Sequence, residues 1–496
     1  MLFNSIDFLI FFPVVVGLYF TLPGRFRWVL LLIASYFFYA WWKFDYLFLI
    51  VASTLVDYFA GLMMGQHDTR KKRRPWLILS LCTNLGILGG FKYFNFVSGS
   101  IQTALGGFNV TYDTFMLDVV LPVGISFYTF QTMAYTIDVY RGRQEPETHL
   151  GIFALYVSFF PQLVAGPIER SQNLLPQFKV SHAFRYERVR DGLVLMLWGL
   201  FKKVVIADRL ALYVDPIYNA PAEATSLQLL IATYFFAFQI YCDFSGYSDI
   251  AIGAAQVMGY DLMENFRRPY FSKSIREFWK RWHISLSSWF QDYLYIPLGG
   301  NRVVKWRWYF NLFIVFLISG LWHGAAWTFV VWGALHGGYL IAGIITKSWR
   351  EKVWASANRW LQVETAYATR GPSLSIGVAR LQKWVSILVT FHLVLLAWVF
   401  FRANTVGDAF YIVEHLLTGQ YTLNQLTGAL GRYEFLLALG SIATMKLVHL
   451  AERREGMRTL LSNQPTWIRY STYLALSIAI LMFGEFGAQE FIYFQF

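Results

Sequence analysis

Long apolar runs separated by short polar breaks dominate the chain. A helix needs about 20 apolar residues to cross a hydrocarbon core of about 30 Å. Runs of this kind lie near 4–22, 28–42, 44–64, 76–95, 119–138, 192–209, 224–242, 384–401, 434–450 and 468–486. Between Arg307 and Lys347 there is no charged residue, and that stretch is long enough for two crossings joined by a tight turn. The pattern predicts an all-α polytopic membrane protein with about 11–12 transmembrane helices.

Composition narrows the class. Only 15% of the 496 residues are charged, against about 25% in a soluble domain, and no polar linkers divide the apolar runs. A soluble enzyme, a disordered chain and a collagen-like chain are excluded. The net charge of +12 sits in short loops between apolar runs, which is the positive-inside pattern and not a nucleic-acid footprint. The run from His67 to Arg74 is the densest basic stretch and reads as cytoplasmic. Segments 96–117 and 211–223 hold no Lys or Arg and read as external. Counting back places the N-terminus outside. With no Lys or Arg before Arg25 and no small-x-small cleavage site, 4–22 reads as a retained span and not a signal peptide. Cys82 and Cys242, each inside an apolar run, read as small core residues.

The same parity leaves two apolar stretches that cannot be full crossings. They are 150–168, broken by Pro161 and Pro167, and 243–260. Half-inserted backbone is tolerated at membrane depth only where protein or water covers it. A funnel or cavity inside the bundle is therefore expected.

Candidate chemistry concentrates in a few segments. Between Asn265 and Trp289, the residues Ile275, Phe278, Trp279, Trp282, Leu286 and Trp289 recur at three- and four-residue steps. Lys273, Arg276, Lys280 and Arg281 fall mostly off that face. This spacing predicts a basic amphipathic helix lying flat at the cytoplasmic interface. One reading is an anchor to anionic lipid, at about 1 kcal/mol per basic residue. The other is a docking surface for a polyanionic ligand such as a nucleotide-linked donor. Six basic against three acidic residues in 261–283 favour an anion either way.

His323 lies inside the charge-free run, in Ser319-Gly-Leu-Trp-His-Gly-Ala-Ala326. An ionisable group in a span is a functional hypothesis by default, and Gly320 and Gly324 permit close approach of backbone or substrate. Neutral imidazole can take a proton from a hydroxyl. It can equally hydrogen-bond between helices as structural glue. His336 would sit about 20 Å along one continuous helix from His323 and reads as a packing residue, as does His392. His67, His149, His182, His415 and His449 fall in or next to predicted loops with no visible pattern. The spacing of His, Asp and Glu offers no metal site. Tyr241-Cys-Asp-Phe-Ser-Gly-Tyr-Ser-Asp249 follows an apolar span and is expected to cap and line a re-entrant element through hydrogen bonds. Pro122-Val-Gly-Ile-Ser-Phe-Tyr128 and Gly166-Pro-Ile-Glu-Arg170 similarly set helix breakers beside polar residues.

Several of these segments together resemble the membrane-bound O-acyltransferase family: Asp243-Phe-Ser-Gly-Tyr-Ser-Asp249, Glu264-Asn-Phe, Glu277-Phe-Trp-Lys-Arg-Trp-His-Ile-Ser-Leu-Ser287 and Leu321-Trp-His-Gly324. The likeness runs from Phe3-Asn-Ser-Ile-Asp-Phe-Leu9 and Leu31–Trp42 to the closing Phe491-Ile-Tyr-Phe-Gln-Phe496. Within the family it is strongest to members serving exopolysaccharide O-acetylation, of alginate and similar polymers.

The resemblance implies one membrane domain over 1–496, with re-entrant elements around a central tunnel. N-terminal spans would occupy 1–140, a catalytic core about 141–346, and C-terminal spans 384–486. It implies transfer of an acetyl group from cytoplasmic acetyl-CoA towards the outer face of a bacterial inner membrane, with no bound cofactor. An extracytoplasmic acetyltransferase or acceptor protein would complete the modification of the polysaccharide. The family's invariant histidine maps to His323 and a second important histidine to His283. Donor or substrate contacts are expected at Arg267, Arg268, Lys280, Arg281, Trp282, Trp322, Asp243 and Ser245. The competing expectations are D-alanyl transfer to teichoic acid from a carrier protein, and a non-catalytic transport or scaffold role.

Overall fold

A computed structural model describes residues 1–110, 115–164, 166–366, 373–419, 421, 426–428, 430–452, 461, 464–487 and 491–492. The described residues form helices joined by short turns, without strands. Among the described residues, seven helical segments are long and apolar enough to cross a membrane: Phe44–Gly65, Arg70–Gly106, Ser226–Met258, Trp327–Ile345, Val378–Arg402, Arg432–Ala451 and Thr466–Phe483. The other five expected spans also fall in helices that are shorter or more polar, such as Ile6–Thr21, Gly24–Ala40 and Ile125–Arg141. The last four residues of the closing motif lie outside the described residues.

The chain divides into two compact units. One comprises 1–212, 238–264 and 430–496, and the other 213–237 and 265–429. The stretch 141–346 expected to hold the catalytic core thus contributes to both.

In the first unit, a polar knot ties three helices together. Asp57, on Leu47–Gly65, is fully buried. It accepts hydrogen bonds from Ser80 Oγ at 2.6 Å and from Asn84 Nδ2 at 2.9 Å, both on Arg70–Leu88. Ser80 also bonds Thr136 Oγ1 of Ile125–Arg141 at 3.0 Å. Side chains that satisfy one another in this way are how spans associate where lipid offers no competing polar partner.

The stretch 150–168 is broken as expected. A nine-residue helix, Leu150–Ser158, stops at Phe159, and a single turn, Phe160–Leu163, follows. Nine residues rise only about 14 Å, too little for a crossing. The stretch 243–260 makes no crossing of its own, as expected, but it is not a separate re-entrant element either. Ser226–Met258 is one helix of 33 residues, rising about 50 Å, so Tyr241–Asp249 lies inside it and caps nothing. The two carboxylates and two serines imitate a helix end, but their charges are absorbed by ion pairs. Lys203 Nζ lies 2.7 Å from both Asp208 Oδ1 and Asp243 Oδ1, and Lys202 Nζ lies 2.7 Å from Asp249 Oδ2. Asp243 Oδ2 additionally accepts the Ile492 backbone N–H at 2.8 Å. Cys242 is buried against the Met445 sulfur, whereas Cys82 is exposed on its helix and is not a core residue.

Candidate active site

The site is built in the second unit from three pieces. The first two are the antiparallel helices Lys305–His323 and Trp327–Ile345. Small residues let these helices touch. A Cβ on Gly320 would collide with the Phe329 carbonyl oxygen, and one on Gly333 with the Phe316 carbonyl oxygen. Gly324 takes an extended conformation that ends the first helix directly after His323, and a Cβ there would strike the Phe329 ring. His323 is therefore fixed at a helix terminus in a close-packed hairpin, 3% exposed. Its ring lies 5.0 Å from Trp322, 5.0 Å from Trp332 and 5.5 Å from Phe401, all edge-on.

The third piece carries His283. The expected continuous helix over 275–289 is two short ones, Ile275–Trp279 and Ile284–Phe290, with His283 at the junction. The apolar face is as the spacing indicates: Ile275, Phe278, Trp279, Trp282, Leu286 and Trp289 are all buried. It does not lie on lipid. Trp282 packs 5.0 Å from Trp398 and stacks 5.5 Å from Phe278, so the stripe is protein core.

The helix breaks because His283 adopts φ +45°, ψ 56°, a left-handed conformation that a non-glycine residue enters only at a cost. Hydrogen bonds from an adjacent segment hold it there. Asn265 O accepts Ile284 N–H at 3.0 Å, and Arg267 N–H donates to Arg281 O at 2.8 Å. Asn265 Oδ1 accepts from both the Ser285 N–H at 3.2 Å and the Ser285 hydroxyl at 3.0 Å. Backbone strain over-determined by its surroundings is a mark of functional positions. His283 is fully buried, and burial pushes its imidazole down to about 3, so it stays neutral. The ring centroids of His283 and His323 are 6.3 Å apart.

The structure thus brings together His323, His283, Trp322 and Trp282. His283 lies 5.9 Å from the Trp322 ring. Among the expected donor contacts, Arg267 and Lys280 are exposed and Arg268 is half-buried with φ +45°. Arg281 is committed to Glu277 at 2.6 Å. With Lys273 and Arg276 also exposed, the polar side of this segment is a cationic face. Asp243 and Ser245 belong to the other unit, where Asp243 pairs with Lys203 and Ser245 accepts from Lys202 Nζ at 3.0 Å.

His336 is a buried packing residue with one specific bond: its Nδ1 accepts the Trp279 indole N–H at 3.2 Å. Other histidines have local partners, His392 with Tyr234 at 2.7 Å and His449 with Tyr241 at 3.2 Å. Three residues of the site escape sequence reasoning. Asn265 had a signal, a lone amide in the Glu264-Asn-Phe motif ahead of the basic run. Trp332 and Phe401 had none, because nothing in their spacing ties them to His323.

Residues 148–363 match the sequence profile of MBOAT, the membrane-bound O-acyltransferase family. That span contains both His283 and His323. Over 494 residues the chain is 40% identical to the probable alginate O-acetylase AlgI of Pseudomonas aeruginosa, covering 99% of this chain and 88% of that protein. It is 36% identical over 510 residues to the peptidoglycan O-acetyltransferase of Helicobacter pylori, covering 94% and 91%. A weaker likeness, 29% over 260 residues, links it to the teichoic acid D-alanyltransferase of Bacillus subtilis, with 49% of this chain and 64% of that one covered.

Proposed function

The chain belongs to the membrane-bound O-acyltransferase family and is a multi-pass membrane acyltransferase, and from that premise we propose that it carries acetyl groups from cytoplasmic acetyl-CoA to an exported polysaccharide. The relatives matched over nearly their whole length are named for O-acetylation of alginate and of peptidoglycan. The D-alanyl-transferring relative is matched over about half of this chain, which supports acetyl over D-alanyl. The membrane is a bacterial inner membrane on this reading, with the polymer or an acceptor protein approaching from outside.

His323 acts as general base. It takes the proton of the acceptor hydroxyl as the oxygen attacks the thioester carbonyl. An oxygen–carbon bond forms, the carbon–sulfur bond breaks, and the proton passes from His323 to the departing thiolate, giving ester and free CoA thiol. Assistance of this kind is worth about 10²–10⁴ in rate. His283, neutral and buried, supplies an N–H to the oxyanion that develops on the carbonyl oxygen. The exposed Arg267, Lys273, Arg276 and Lys280 attract the phosphates of the donor.

The observation that carries this reading is the pair of buried imidazoles, 6.3 Å apart, at the end of a close-packed helix hairpin. The test is acetyl transfer from labelled acetyl-CoA by purified protein in detergent, wild type beside His323→Ala. Release of free CoA by wild type, reduced at least a hundredfold in a folded His323→Ala protein, is expected. Equal turnover by the two proteins would remove His323 from the chemistry. Turnover only with an acylated carrier protein would replace acetyl-CoA as donor.

A further inference from the structure

His336 is fully buried, one turn beyond Trp332 on the helix Trp327–Ile345, which follows the helix ending at His323. Its contacts reach both histidines of the site. On one side its Nδ1 accepts the indole N–H of Trp279 at 3.2 Å. Trp279 ends the helix Ile275–Trp279, and a hydrogen-bonded turn runs from there to His283. In that turn the Arg281 and Trp282 N–H groups donate to Phe278 O at 2.9 and 2.8 Å. On the other side the His336 ring packs edge-on against Trp332 at 4.8 Å, and Trp332 packs against His323 at 5.0 Å. Only one nitrogen of a neutral imidazole can accept, so the Trp279 bond selects the tautomer protonated at Nε2. A leucine or phenylalanine of similar bulk would fill the space but could not accept the indole proton.

We propose that His336 is a positioning residue for acyl transfer, a strut whose bond to Trp279 sets the strained His283 segment at its working distance from His323. This rests on the assignment of both histidines to the acetyl-transfer chemistry. The strut is needed because His283 sits at a break between two helices of five and seven residues, too short to hold a rigid direction by themselves. Asn265 fixes the chain after His283, through Ile284 and Ser285. His336 fixes the chain before it, through Trp279. Displacement of a reacting group by about 1 Å can cost about a hundredfold in rate, so loss of the strut appears in kcat more than in donor affinity.

The experiment compares wild type, Trp279→Phe, His336→Leu, His336→Asn and the Trp279→Phe/His336→Leu double variant. Each is checked for monodispersity and assayed for acetyl transfer from acetyl-CoA. His283 reactivity to diethyl pyrocarbonate is read in parallel by mass spectrometry. Trp279→Phe and His336→Leu are expected to lower kcat by about 10- to 100-fold with KM for acetyl-CoA changed less than about threefold. The double variant should be no worse than either single one. His336→Asn, which keeps a short-reach acceptor, should recover most of the rate. His283 should be protected in wild type and His336→Asn and become modifiable in the other three. Unchanged kcat in the singles, multiplicative losses in the double, or identical behaviour of His336→Asn and His336→Leu would overturn the proposal. Absence of acetyl transfer by wild type would defeat the proposed function instead, and the His283 protection pattern would still decide the strut.

Discussion

Around Lys203, buried charge is met by opposite charge: carboxylates of Asp208 and Asp243 lie 2.7 Å away, and Lys202 and Asp249 form a second pair beside them. Arg209, also buried, reaches Glu434, Glu485 at 2.7 Å and the Phe483 carbonyl at 2.8 Å. Around His323 and His283, in the other unit, the neighbours within ring contact include Trp322, Trp332, Phe401 and Phe266. The first region is set by charge pairing and the second by aromatic packing. Both contain ionisable groups inside a hydrophobic protein, yet they do different things. A mutually paired cluster spends its charges on holding helices together. The imidazoles of the second region are packed by aromatic rings instead, and on the proposed reading it is there that the acceptor and donor meet them. Polar residues in spans therefore divide by the chemistry of their neighbours more than by their own identity.

The sharpest way to break this comparison is Lys203→Ala. It strands Asp208 and Asp243, 2% and 3% exposed, with Lys203's charge removed from between them. Removing one partner of a buried pair costs about 3–5 kcal/mol, enough to unfold many domains. The expected outcome is loss of monodisperse protein on size-exclusion chromatography. In contrast, His323→Ala removes a packed ring but no member of an ion pair, and should keep a monodisperse elution profile with a smaller loss of thermal stability. A well-folded but inactive Lys203→Ala protein would move that cluster into the chemistry and erase the distinction.

The same contrast explains what could be read from the sequence. The apolar face from Ile275 to Trp289 was legible because burial follows helical spacing whatever covers the face. The close approach at Gly320 and Gly324 was legible because few other reasons place two glycines around a histidine in a span. The broken stretch at 150–168 announced itself through its prolines. Tyr241–Asp249 misled because its acids and serines look like a helix end. The lysines that neutralise them, at 202 and 203, are some 40 residues earlier. The break at His283 was hidden for the opposite reason: the apolar positions keep helical spacing straight through it, and tertiary hydrogen bonds from Asn265 bend the backbone regardless. Sequence periodicity reports which side is buried, while long-range pairing decides where the backbone bends.

A smaller perturbation sharpens the aromatic side of the comparison. Asn265→Ala removes the acceptor for both the N–H and the hydroxyl of Ser285, which is completely buried. An unsatisfied buried donor costs about 1–3 kcal/mol, below the cost of Lys203→Ala. The expected result is a folded protein with a modestly lower thermal transition and acetyl transfer reduced about tenfold, since the His283 turn is loosened. Asn265→Asp, which retains an acceptor oxygen, should fall between the two. Unaltered transfer in Asn265→Ala would mean that the strained turn holds itself.

The smallest effect concerns pH and follows from the neutral state of His283. Outside the long spanning helices, it is buried with its imidazole held down to about 3, against about 6.5 in an unfolded chain. The unfolded state therefore binds a proton that the folded state refuses. Stability from this group is fully present above about pH 6.5 and declines as pH falls towards the folded value. At pH 5.5 the linkage amounts to about 1.4 kcal/mol. His283→Asn isolates the effect, because asparagine tolerates the left-handed backbone conformation and does not titrate. Thermal transitions of the two proteins, measured from pH 8 to pH 5 in one detergent, should diverge below pH 6.5, with wild type losing more. Parallel curves would mean that His283 takes up its proton while still folded. Its ring would then have water or an acidic group within reach, and the neutral hydrogen-bond donor assigned to the oxyanion would have to be sought elsewhere.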